Sequence, residues 1–183
     1  MIRAALVVFV SVASVASAWA AESQWPAPKS PAIPEADGYV VIPGAAVTPD
    51  ASHVYRAIFD ANRAADKPDQ LVPAINMLGS ELNALAAANV PQKNAKFVLV
   101  FHGPAMDGVL DEAHYKAKFG VSNPNLKVIA ELRKAGVELY VCGQNLAYDK
   151  IDPKSLTPDV AVASDALIVL MTYENKGYAL LSF

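Results

Sequence analysis

Residues 97–101 read Phe-Val-Leu-Val-Phe, an apolar run of strand length with no polar break. Successive side chains of a strand point to opposite faces, so such a segment needs apolar cover on both sides. A sheet clothed on both faces is a layered α/β arrangement.

The flanking segments alternate in period. Tyr55–Phe59 is rich in aromatic and branched residues and reads as a strand. Leu71, Ile75, Leu78, Leu82 and Leu85 then recur at spacings of four and three, one face of a helix ending near Asn89. After residues 97–101 comes a long segment, His102–Pro124, with a short helix expected near Asp111–Lys118. Asn123 can cap the next helix, Pro124 suits its first position, Leu126, Ile129 and Leu132 form its apolar face, and Gly136 stops it. Val137–Val141 places Val, Leu and Val inward against Glu138 and Tyr140, a strand that runs directly into Cys142-Gly143. The tail reads as a short strand at Val160–Ala163, a helix capped by Ser164 or Asp165, Gly177 as its left-handed stop, and a last strand at Tyr178–Leu181.

This alternation predicts a three-layer α/β fold, a mostly parallel sheet of about five strands flanked by helices. Ligands and reactive groups gather at the carboxyl ends of strands in such sheets. Two loops occupy those ends: His102-Gly103-Pro104-Ala105 and Cys142-Gly143-Gln144-Asn145.

The first twenty residues have a different character. Arg3 precedes an apolar run from Ala4 to Ala16, and Ala18-Trp19-Ala20 puts small residues where a signal peptidase reads. The run is shorter than the ~20 residues of a membrane anchor. A cleaved export signal over residues 1–20 is expected, with the mature chain starting at Ala21 and located in the periplasm or outside the cell. Residues 22–37 hold four prolines and no apolar period. They are expected to form an extended arm (21–37) outside the core, with the domain over 38–183 and a short edge strand at Tyr39–Ile42.

Loss of Arg3 with the signal leaves 14 basic residues against 18 acidic ones. That balance, without a Lys/Arg cluster, argues against nucleic acid or an anionic membrane surface as partner. No later segment is long and apolar enough for a second span. His53, His102, His114, Asp107 and Asp111 contain only the loose Asp111/His114 pair, so no metal site is expected. Phe101–Gly108 contains two glycines but no phosphate-binding or dinucleotide pattern, and no cofactor is expected.

Cys142 is the chain's one cysteine, so no internal disulfide is available. It is either a nucleophilic thiol at a strand's carboxyl end, approached across Gly143, or a small apolar residue that ends a strand. His102, at the same end of the sheet, is either a base or charge partner for that thiol or a side chain bonded to loop carbonyls. Gln144 and Asn145 either contact a small ligand, together with Gly103 and Gly143, or cap the turn.

Residues 132–151, LRKAGVELYVCGQNLAYDKI, resemble the DsrE/DsrF-like family of small sulfur-relay proteins: a helix ending in Gly-Val, a strand, a Cys directly after it, and a short helical turn. Leu156–Ala163, the following helix and Lys176-Gly177-Tyr178 are similar too, and Phe101–Gly108 looks like the loop after an inner strand of that family. The resemblance runs from Tyr55 to Phe183 and is nearest to the exported branch. It implies a three-layer fold that assembles as a homo-oligomer, and a cysteine at the position of Cys142 that carries a persulfide and exchanges sulfur with a protein donor or acceptor. The alternative is a non-catalytic module of the same fold that binds a small ligand or builds an assembly. An apolar content of 54% leaves surface to bury between subunits.

Overall fold

The computed structural model describes residues 25–183. The expected signal segment and its cleavage point lie outside the described residues. Among the described residues no helix is long and apolar enough to cross a membrane.

Five strands form one sheet: β1 (Tyr55–Ala61), β2 (Ala95–Phe101), β3 (Glu138–Cys142), β4 (Ala161–Ala163) and β5 (Ala179–Ser182), in the order β4-β3-β2-β1-β5. Every pairing is parallel, so the sheet is wholly rather than mostly parallel. Five α-helices connect the strands: α1 (Pro73–Ala87), α2 (Glu112–Phe119), α3 (Asn125–Lys134), α4 (Gly143–Tyr148) and α5 (Ala166–Glu174). The chain reverses where the local chemistry demands it. Asn89 takes a left-handed φ of 59° just past α1, and Gly136 does so at 89° past α3. Asp111 and Asp165 cap α2 and α5 with their side chains, accepting from His114 N–H and Leu167 N–H. The loose Asp111/His114 pair is therefore a helix cap.

The two faces of the sheet are clothed unequally. Phe59, Phe97, Leu99, Phe101, Leu139 and Val141 point into a large core closed by α1 and α3, with Tyr115 of α2 and Leu146 of α4 on the same side. Ile58, Val98, Val100 and Cys142 point the other way, into a small core closed by Ala166, Val169, Leu170 and Tyr173 of α5. The apolar run of β2 is thus covered on both faces, by several helices on one and a single helix on the other.

Two expectations are corrected. Tyr39–Ile42 is no strand of the sheet; Tyr39 makes one isolated antiparallel bridge with Lys29. The proline-rich segment is extended, but it does not lie outside the core. Ile33 (1% exposed) and Ala36 (5%) are buried in the large core. The cause is a docking site on α1. Asn83, itself fully buried, accepts from the N–H groups of Ala32 and Ile33 and donates to the carbonyls of Ile33 and Asp37. One turn away Gly79 leaves room for the arm: a Cβ there would stand 2.4 Å from Ala36 Cβ.

Candidate functional site

The carboxyl ends of β1, β2, β3 and β5 bring together polar side chains on the face that α5 covers. Pairing of β2 with β3 runs in register to Phe101↔Val141. The next residues are His102 and Cys142. His102 continues the extended backbone, with φ −153° and its N–H on the Ala61 carbonyl. Side chains alternate along each strand, so His102 and Cys142 occupy neighbouring positions on the same face, one strand spacing of about 4.8 Å apart at the backbone. The parity that sends Leu139 and Val141 into the large core sends Cys142 toward α5.

Cys142 is 3% exposed. Its Sγ accepts the N–H of Ala166, the first residue of α5, at 3.3 Å, and lies 4.0 Å from Asp165 Oδ1.

His102 is bonded to a carboxylate rather than to loop carbonyls. Its Nε2 lies 2.6 Å from Asp60 Oδ1, with the two side chains 24% and 12% exposed. The second oxygen, Oδ2, accepts from Asn62 Nδ2 at 2.8 Å and from Ser182 Oγ at 3.0 Å. Asn62 Nδ2 also donates to Ser182 Oγ at 2.9 Å. A carboxylate this deep in a sheet needs such donors, and here they come from the ends of β1, β2 and β5.

The remaining residues singled out in the sequence fasten the loops to one another. Gly103 N–H donates to Asn145 Oδ1 at 3.1 Å, tying the loop after β2 to α4. Gln144 Nε2 donates to the Ser164 carbonyl at 3.3 Å, tying α4 to the start of α5. Gly143 serves packing, since a Cβ there would meet the Ala163 carbonyl oxygen at 2.5 Å. Its missing side chain brings α4 against the end of β4. Asp60, Asn62 and Ser182 escaped the sequence reading, whereas Asp165 was expected there as a helix cap. Asp60 had a signal, a carboxylate in the otherwise apolar stretch Ala57–Ala61; Ser182 and Asn62 had none.

Two sizeable cavities lie elsewhere. One of about 560 Å³ is lined by Pro31, Leu82, Val90, Ala95 and Glu131, and one of about 520 Å³ by His53, Tyr55, Arg56, Phe97 and Ala179. Both sit toward the amino ends of the strands. They lie at the opposite end of the sheet from His102 and Cys142, and the carboxyl end remains the candidate.

The sequence profile of the DsrE/DsrF-like family matches residues 56–183. Among solved structures, the chain is similar to a protein of unknown function from Methanobacterium thermoautotrophicum, at 17% identity and a TM-score of 0.52, covering 70% of this chain and 99% of that one. It is also similar to the ychN protein from E. coli, at 16% identity and a TM-score of 0.51, with 70% and 99% covered. No curated protein gives a match to the sequence. At these identities the structural likeness speaks for the fold.

Proposed function

The chain belongs to the DsrE/DsrF-like family, and from that premise we propose that it is a sulfur-handling protein that carries a persulfide on Cys142. Membership links the chain with the sulfur-relay type of function. The carrying observation is the place of Cys142 at the carboxyl end of β3, with the Ala166 N–H at the start of α5 directed at its Sγ at 3.3 Å. The Cys142 thiolate attacks the outer sulfur of a donor persulfide. The new S–S bond forms as the donor's S–S bond breaks, and the donor leaves as a thiolate. Transfer to an acceptor thiolate repeats the step in reverse, so no oxidant is consumed. Protein donors and acceptors, a periplasmic or secreted setting given by residues 1–20, and a homo-oligomer complete the reading. Leu167, Ile168 and Met171, each more than half exposed on the outer face of α5, support self-association.

Intact mass after exposure to polysulfide tests the proposal. Native protein is expected to gain one sulfur and Cys142→Ser protein none. The burial of Cys142 favours a second reading, a non-catalytic module in which the thiol only packs. Absence of the gain, together with a thiol that is alkylated only after unfolding, decides for that reading.

A further inference from the structure

We infer that Asp60 is a positioning residue that makes His102 the base for Cys142, so that the reactive unit is spread over three neighbouring strands, β1, β2 and β3. This rests on the reading of Cys142 as the sulfur-carrying atom. An ionised carboxylate accepts hydrogen bonds and donates none. The 2.6 Å contact between His102 Nε2 and Asp60 Oδ1 therefore requires the ring proton on Nε2. In the neutral ring Nδ1 is then the unprotonated nitrogen, the only atom of His102 able to take a proton.

The carboxylate is itself held still. Ser182 Oγ and Asn62 Nδ2 occupy Oδ2, which leaves Oδ1 for the ring. The backbone repeats the arrangement, with Phe183 N–H on the Asp60 carbonyl and Asn62 N–H on the Phe183 carbonyl. The last strand thus orients Asp60, Asp60 orients His102, and the strand register sets His102 beside Cys142. The chemical consequence is a single proton move. In the proposed step the Sγ–H proton, which in the resting protein faces Asp165 Oδ1 at 4.0 Å, passes to Nδ1 as the thiolate forms, the imidazolium is neutralised by Asp60, and the proton is returned to the departing donor thiolate.

Nitrogen-15 NMR of histidine-labelled protein reads the tautomer directly. The chain has three histidines, and His102→Gln identifies the signal of interest. Native protein is expected to hold His102 with the proton on Nε2. Asp60→Asn offers the ring a group that either accepts or donates, and is expected to give a mixture of tautomers. Iodoacetamide should label Cys142 at least about tenfold more slowly in Asp60→Asn and in His102→Gln, and the double variant should be no slower than His102→Gln alone. A native His102 with its proton on Nδ1 overturns the inference and requires no variant to fold. A shifted tautomer with an unchanged labelling rate also overturns it. Failure of native protein to gain sulfur from polysulfide, with the tautomer and rates as expected, instead overturns the sulfur-carrier reading and leaves the Asp60–His102–Cys142 coupling standing.

Discussion

Asn83 and Ile33 exchange two hydrogen bonds across fifty positions of sequence: Ile33 N–H donates to Asn83 Oδ1 at 2.8 Å, and Asn83 Nδ2 donates to the Ile33 carbonyl at 3.0 Å. Two further bonds, from Ala32 N–H and to the Asp37 carbonyl, saturate the amide. A buried amide with all its capacity used is costly to remove, because its partners are left unpaired. Asn83→Ala is expected to lower stability by about 2–4 kcal/mol, measured by urea unfolding. Limited proteolysis should then cut residues 25–37 in the variant while the native arm resists. An arm cut equally fast in both proteins contradicts the docking.

Gly143→Ala tests the packing at the other end of the sheet. The added methyl meets the Ala163 carbonyl oxygen at 2.5 Å, and that atom belongs to backbone that cannot swing aside. A loss of about 1–3 kcal/mol is expected, seen as a lowered denaturation midpoint. Faster alkylation of Cys142 should accompany it, because the shift opens the seam between α4 and α5. Full native stability in the variant contradicts the close approach of Gly143 to the Ala163 carbonyl.

Tyr173 gives the fold an alkaline limit. Its hydroxyl donates to Glu138 Oε2 at 2.7 Å on the seam between α5 and β3. Burial first, then its bonds to Tyr140 and Glu138, push its ionisation well above the ordinary tyrosine value. The folded state therefore holds the phenolic proton more tightly than the unfolded chain does. Its contribution is complete below the unfolded value of about 10 and declines as pH rises beyond it. Unfolding midpoints should fall between about pH 9.5 and 11.5, and Tyr173→Phe should flatten that fall. An equal slope in both proteins assigns the alkaline loss to other groups.

The outer face of α5 predicts the behaviour of the protein in solution. Leu167 is 58% exposed and Ile168 and Met171 are each 51% exposed, on a helix whose inner face is already satisfied. Light scattering is expected to show an oligomer that Ile168→Glu reduces in size, since a charge cannot be buried unpaired between subunits. A native monomer at working concentration removes this claim.

Much of the layered fold is legible in residues 55–183 because its signals are local. Asp165 caps the helix it precedes, Gly136 ends the helix it follows, and the alternation at Val137–Val141 fixes which side chains of β3 enter the large core. Ile33 is different. It sits among prolines without a period, and its partner is a buried polar residue on a helix far along the chain. The cluster of Asp60, His102 and Ser182 is hidden for a similar reason. Only the strand order β2-β1-β5 gathers it, and strand order is a property of the whole sheet. For Cys142 the strand end is readable from neighbouring residues, whereas its burial depends on where α5 lands.

The unequal clothing of the sheet sets how the sulfur is reached. Cys142 lies under α5, a helix of nine residues that alone closes the small core, while the large core is shared among many elements. Opening free energies differ between parts of one molecule, and a segment with few buried contacts detaches well below the cost of global unfolding. On the proposed reading of Cys142, a sulfur donor need not find an open cleft. It is expected to meet the thiol in the brief excursions of one helix, so that amide exchange along α5 sets a clock for Cys142 labelling while the opposite face of the sheet stays closed.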